Sequence, residues 1–428
     1  EIDFNGTKKT VSRENYGLSV IEKFEDGSFT ENRRDFSGRL VESKNENTTL
    51  SFEYDLAGKL VSYTDLASGK KIEYKYDEAG NKIMAQSLER KITYQWDNLG
   101  RIKRISDEKM KASVSFKYNI QGQEIERKFS SGGKLLSQYD KAGRLILRAG
   151  YTPNGKISFV SGRVFDEKGF VKYKLNSDFT VTKFSYDSAG RVCSAWYAYS
   201  EKLRHHFREL LGKNGILPGE KKPDFSSIEI SDMDYEKLKS LCFLSDKKHH
   251  QLHLNRHCVR VDFEYDENGN LTAQNTPFGK IEYQYDRENR LVSWGNGCSA
   301  SYDKNGNMIS KTTPGKSETY IYSKKNLLIE SLEKDFTGKK YVQQKYKYDS
   351  LGRKIEIYNS KTGTKAIFYD GLTFDEFYSW NIAEHKNRDK KDKTGYFDKI
   401  RYIDFDSYSK RDEKIYENHN YPWEENSR

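Results

Sequence analysis

The sequence predicts a mainly β protein, a spiral of antiparallel β-hairpins forming an open or partial shell, with a small α-helical insertion. Three observations carry this prediction. A phrase of an aromatic residue, an aspartate and, three residues later, a glycine recurs along most of the chain. Between copies, apolar and polar residues alternate with the period of a strand. One stretch from Tyr197 to Arg260 lacks the phrase and shows helical spacing instead.

Residues 265–294 show the phrase twice. Ile281, Tyr283 and Tyr285 alternate onto one face of a strand. Asp286 then ends it, because a short carboxylate accepts hydrogen bonds from backbone amides two residues on and holds a turn. Three residues after each aspartate stands Gly269 or Asn289, the residue types that tolerate positive φ, as a type I turn ending in a bulge requires. Leu271 and Leu291 open the return strands. The same pairing occurs at Asp55 and Gly58, Asp77 and Gly80, Asp97 and Gly100, Asp140 and Gly143, and Asp187 and Gly190. It recurs at Asp266 and Gly269, Asp303 and Gly306, and Asp349 and Gly352. Variants stand at Asn119 to Gly122 and Asp166 to Gly169, and a degenerate copy at Asp35 to Gly38. Copies lie mostly 20 to 22 residues apart, room for two strands and two turns. The second turn shows at Ser68-Gly69, Gly132-Gly133 and Thr337-Gly338. Composition agrees: 31 tyrosines and 23 phenylalanines against 4 methionines suit strands. Apolar content of 35% beside 32% charge suits a sheet that is wet on one face.

The full phrase, with Gly100-Arg101-Ile102, Gly143-Arg144-Leu145, Gly190-Arg191-Val192 and Gly352-Arg353-Lys354, resembles the bacterial Rhs/YD repeat, whose signature is Tyr-Asp-x-x-Gly-Arg-Leu. The resemblance covers residues 30–196 and 259–375. It implies a β-ribbon that spirals into a hollow shell, often around a toxin, in a family of bacterial surface and secreted proteins, insecticidal toxin subunits and animal adhesion receptors. Such shells commonly finish with a Pro…Asp-Pro-x-Gly-Leu segment involved in self-cleavage. None of the six prolines here stands in that context, so neither self-cleavage nor a C-terminal toxin is expected, and the length suggests an open or partial spiral.

Four blocks follow: an N-terminal ribbon at 1–196, a His-rich insertion at 197–258, a C-terminal ribbon at 259–383 and a charged tail at 384–428. In the insertion, Leu203, Phe207, Leu210 and Leu211 share a helical face before Gly212, and Ser231 to Asp234 caps a second helix carrying Leu238 and Leu241. Six of the eight histidines lie there. His249, His253 and His257 line one face of a helix, and with Cys258 they admit a zinc site. Exposed or locally packed histidines are the plainer reading, since no Cys-x-x-Cys or His-Glu-x-x-His accompanies them. Cys193 and Cys258 flank the insertion, so a bridge could staple its base in an oxidising compartment. In the tail, a lysine-rich run near 386–394 reads as a solvated link, and Tyr396 to Phe405 as a short docking strand.

Functional classes narrow accordingly. Net charge is +10 but is spread over the sequence, without basic residues clustered among aromatics, so nucleic acid is not the expected partner. No apolar run is long enough to span a membrane. The recurrent aspartates have a sufficient turn role and no catalytic motif stands in context, so the expectation is no enzyme, with a carbohydrate-active enzyme a remote third reading. A chain that begins at Glu1 is read as a mature or trimmed form. The first expectation is a secreted or bacterial cell-envelope scaffold that binds a protein or polysaccharide through loops or the insertion. The alternative is a shell fragment or subunit that encloses a polypeptide, a toxin for example.

Overall fold

The computed structural model describes residues 2–176, 181–198, 258–337, 341–373 and 375–381. The predicted insertion helices, His249, His253 and His257, and the tail from 384 lie outside the described residues.

Thirty strands, from Lys9–Glu14 to Glu376–Asn381, and one short 3-10 turn at Asn15–Gly17 make up the described secondary structure. Chain neighbours pair antiparallel, as in the hairpin of Thr49–Tyr54 with Leu60–Asp65. At most repeat phrases the register slips by one residue. Glu53 faces Ser62, but Tyr54 faces Leu60. Such a slip is a β-bulge, and it turns the aromatic at the strand end relative to its neighbours.

Two compact units form. The described residues of the first run from 2 to 113 and from 300 to 381; those of the second run from 114 to 299. The first unit therefore draws on both ribbon blocks of the sequence. Its core is Leu50, Phe52, Tyr63, Ile72, Tyr74, Ala85 and Ile92 packed with Phe368 and Phe377. The rings of Phe52, Tyr63 and Phe368 lie in a row, with centroids 5.5 and 5.4 Å apart. Alternation places these residues. In Lys70–Tyr76, Ile72 and Tyr74 are buried while Lys71, Glu73 and Lys75 are exposed. Burying each such apolar side chain contributes about 1.5–3 kcal/mol. The second unit's core contains Ala195, Tyr197, Val259, Val261, Phe263 and Ile281.

Strand Val192–Ala198 pairs with Cys258–Tyr265, with Ala198 opposite Cys258 and Ser194 opposite Asp262. This register excludes the Cys193–Cys258 bridge that the sequence left open. Cys193 lies five residues along the ladder from the position facing Cys258, roughly 16 Å at strand rise, far beyond the ~7 Å Cα reach of a disulfide. Cys193 carries a free thiol.

The turns set a graded prediction. Gly100 sits at φ +71° with nothing near a prospective Cβ, while at Gly190, φ +79°, a Cβ would stand 2.9 Å from Phe170 Cζ. Gly100→Val is expected to cost about 1–2 kcal/mol from backbone strain alone. Gly190→Val should cost about 1 kcal/mol more, because the ring must also move. Urea unfolding of the two variants checks the order; equal losses would contradict it.

Candidate functional site

The recurring phrase is the first candidate, since its charged and aromatic groups repeat along the ribbon. Asp97 shows its chemistry. One carboxylate oxygen accepts the amides of Leu99 (2.9 Å) and Arg101 (3.0 Å), and the other accepts Arg101 Nε at 2.7 Å. The amide of Gly100 closes the turn on the Asp97 carbonyl at 3.0 Å. The same carboxylate–guanidinium clasp joins Asp140 to Arg144, Asp187 to Arg191, Asp286 to Arg290 and Asp349 to Arg353. Asn81, Asn270 and Asn307 replace the arginine at Asp77, Asp266 and Asp303. Asp55 accepts the Lys59 amide, and the Asp55–Gly58 turn has the same closure. Gly80, Gly143, Gly269, Gly306 and Gly352 occupy the equivalent turn position, and Asn289 does so with φ +60°.

The aromatic residue links one hairpin to the preceding one. Tyr54 Oη donates to the carbonyl of Leu40 at 2.9 Å, and Tyr76 Oη to that of Leu60 at 2.8 Å. Both acceptors are the first residue of the previous return strand. Trp96, through its ring N–H, reaches Lys82, and Tyr139, Tyr186, Tyr265, Tyr348 and Tyr369 reach Glu124, Val171, Val192, Leu328 and Lys354 in the same way. At several turns the cation that follows lies over the next aromatic, as Arg39 does over Tyr54 at 4.9 Å and Arg191 over Tyr265 at 4.8 Å. An aromatic with a polar tip therefore couples neighbouring repeats through both its face and its hydroxyl.

These contacts set the acidity of the turns. The Arg101 amide holds the Asp97 carboxyl below the usual range, and the Asn81 side chain does the same for Asp77. The Arg191 amide lowers Asp187, and the Asn270 side chain lowers Asp266. A folded-state value below the unfolded one gives stability that is present above the unfolded pKa, about 4, and lost as pH falls through the folded value. The melting temperature should therefore hold from neutrality to about pH 5 and fall steeply below about pH 4. Circular dichroism melts between pH 2 and 7 test this; a midpoint unchanged at the acid end would refute it.

A second candidate is a buried polar seam inside the first unit. Arg353 lies with its side chain fully enclosed against Asp349. Arg90 and Asp107 form another buried pair at 2.8 Å, and Arg90 also donates to the Phe377 carbonyl. Asp370 accepts Tyr74 Oη at 2.7 Å and Lys82 Nζ at 2.9 Å. Burial pushes Tyr63, Tyr74 and Tyr94 well above the ordinary tyrosine range, so they stay neutral donors. Burial also pulls Lys70 down to about 8, with its ammonium 6.0 Å from the Phe368 ring centroid. Each carboxylate named in the seam is bonded to a cation, which suits a tie between strands and leaves no base directed at a substrate.

Beside the seam opens a cleft of about 590 Å³, lined by residues that include Lys9, Glu22, Phe24, Lys325, Leu327 and Ser350. Its lysines are paired: Lys9 with Glu22 at 2.9 Å, Lys324 with Glu25 at 3.1 Å, and Lys325 with Glu46 at 3.0 Å and the Phe29 carbonyl at 2.8 Å. Among the described residues no group of three or more His, Cys, Asp or Glu converges as metal ligands. The zinc candidate falls elsewhere, for only the backbone of Cys258 is described, opposite Ala198.

The family model described as Teneurin YD-shell matches residues 31–164 and 246–396, well over half of the 428 residues. The chain belongs to the Teneurin YD-shell family. No curated protein matches this YD-shell chain in sequence. Among solved structures, it is similar to TcdB2-TccC3-Cdc42, at 14% identity over 88% of this chain and 20% of that one, with a TM-score of 0.38. It is also similar to the Photorhabdus luminescens Tc holotoxin pore carrying a TccC3 mutation, at 15% identity over 88% of this chain and 18% of that one, TM-score 0.39. The YD-shell chain thus spans about one fifth of those chains.

Sequence reasoning missed two working parts of the YD repeat. The arginine four residues after the aspartate was legible as a consensus letter, not as the carboxylate's clasp. A further copy, Tyr322-Ser323 to Asn326, has serine in the aspartate's place, with Ser323 Oγ accepting the amides of Lys325 and Leu327 at 3.2 and 3.3 Å. Admitting any side-chain oxygen at that position would have found it.

Proposed function

We propose that this YD-shell chain is a stretch of shell wall whose partner is a polypeptide held against or within the wall, and that it is not itself an enzyme. The observation that carries the reading is the YD-shell match over both ribbon blocks. Two structural facts support it. The turn carboxylates described above are engaged with amides and cations of their own turns, so the repeated charge is spent on cohesion. Neighbouring hairpins are tied at face and edge, which suits a wall that keeps its form while something lies against it. The reading ranks ahead of an interaction scaffold that works through residues 197–258, because it draws on the repeats themselves. No helix among the described residues is long and apolar enough to cross a membrane. A secreted or envelope setting belongs to the same proposal, as does a protein rather than a polysaccharide partner.

The test joins an unstructured passenger of about forty residues, rich in protease sites, to the C-terminus of the full-length protein. The same passenger is joined to an unrelated β protein as control. A wall that shelters a polypeptide should slow passenger cleavage by about tenfold or more. Cleavage at the control rate, with the wall still folded, would overturn the proposal.

A further inference from the structure

The sequence contains six Asn-Gly pairs, at Asn5, Asn154, Asn214, Asn268, Asn296 and Asn305. Asn-Gly is the pairing most open to spontaneous loss of ammonia, because glycine offers no side chain to hinder attack by its own backbone nitrogen. Five of the pairs are described, all but that at Asn214, and the fold treats four of them alike.

In those four, the glycine amide is already committed to a turn. Gly6 donates to the Asp3 carbonyl at 2.9 Å, Gly155 to Thr152 at 2.9 Å, Gly269 to Asp266 at 3.1 Å and Gly306 to Asp303 at 3.1 Å. Their asparagine side chains are held as well. Asn5 donates to Asp303 at 2.9 Å and accepts the Lys304 amide at 2.9 Å. Asn305 donates to Asp3 and Asn326, both at 2.8 Å, and Asn268 donates to Asn289 at 3.2 Å. Asn154 accepts the Thr152 hydroxyl. For the glycine nitrogen to reach Cγ of the asparagine, the turn bond and the side-chain bond must both break.

Asn296 differs. It sits in the exposed three-residue loop Gly295-Asn296-Gly297, where strand Leu291–Trp294 turns into Cys298–Tyr302 and Trp294 faces Cys298. Gly297 stands at φ +73° with nothing within 4 Å of a prospective Cβ. Among the described residues, its amide has no hydrogen-bond acceptor and the Asn296 side chain has no partner. Nucleophile and electrophile are thus adjacent, uncommitted and bathed in water.

We propose that Asn296 is a selective site of spontaneous deamidation in the folded protein. The Gly297 backbone nitrogen gives up its proton and bonds to Asn296 Cγ. The bond from Cγ to the amide nitrogen Nδ2 breaks, ammonia leaves, and a five-membered succinimide closes. One water then opens the ring at either carbonyl, giving aspartate or its β-linked isomer. No oxidant or cofactor enters. The product carries a new negative charge at a hairpin tip of the second unit and, in the β-linked form, one extra backbone carbon.

The test is peptide mapping by mass spectrometry after incubating the full-length protein at mildly alkaline pH, natively and in concentrated urea. The peptide containing Asn296 should gain about one dalton at a rate about tenfold above the four held pairs in the native protein. In urea the five should converge. Equal rates in the folded protein would overturn the proposal. So would the same tenfold ratio in urea, since the selectivity would then lie in local sequence and not in the fold.

Discussion

Arg353→Met is expected to lower the stability of the first unit by about 3–5 kcal/mol, the cost of breaking a buried pair from one side. The guanidinium has no solvent contact, and four of its five N–H donors are engaged. It gives Nε to Asp349 at 2.7 Å, Nη1 to the carbonyls of Gly371 and Thr373 at 2.6 and 2.8 Å, and Nη2 to Tyr63 Oη at 3.2 Å. Its flat face lies 4.8 Å from the Tyr369 ring centroid and 5.8 Å from that of Tyr63. Methionine replaces much of the volume but none of the donors, and so leaves a buried carboxylate and two carbonyls behind. Arg101→Met supplies the control. It breaks the same clasp to Asp97, but with the arginine 28% exposed it should cost at most about 1 kcal/mol. Urea unfolding, with hydrogen exchange followed in strands Leu60–Asp65 and Lys354–Asn359, checks both. If the two substitutions cost the same, burial is not what distinguishes them.

That contrast shows where the sequence stops being informative. Arg101 and Arg353 occupy the same letter of the same phrase, and nothing local separates them. The difference is made by Tyr63, 290 residues away in sequence, packed with Tyr369 and the Gly371 turn of the next hairpin. The turn itself was legible, because an aspartate that holds its own turn and a glycine at positive φ act within five residues. The choice of tyrosine over phenylalanine was not, since its acceptor lies one hairpin back. The Cys193–Cys258 staple failed for a similar reason. Flanking an insertion fixes positions in sequence, whereas disulfide reach depends on register, and the ladder puts Ala198 opposite Cys258. Of the candidate sites, the repeat turns could be placed from sequence, while the polar seam and the cleft could not, because both are built from segments some three hundred residues apart.

Gly150→Ala should destabilise the second unit by about 2–3 kcal/mol, although glycine to alanine inside a strand ordinarily gains about 0.5–1 kcal/mol. Gly150 faces Phe159 across the ladder of Leu145–Tyr151 with Ile157–Phe165. The ring of Phe159, 1% exposed, lies directly over the glycine. A Cβ there would fall 2.4 and 2.6 Å from the Phe159 ring carbons and 2.8 Å from Ser158 Oγ. These contacts cannot be relieved by the end of a long side chain, for the ring is rigid and enclosed, so either ring or strand must shift. An aromatic laid across a strand glycine covers backbone that glycine leaves bare, which is why the pair is worth more together than apart. The decisive measurement is a double-mutant cycle with Phe159→Leu, which removes the rigid ring. Alone, Phe159→Leu should cost stability through the lost core contact. Combined with it, Gly150→Ala should lose most of its penalty, giving a coupling of about 1–2 kcal/mol. Purely additive losses, or a stabilising Gly150→Ala, would mean that the ring does not depend on the bare glycine beneath it.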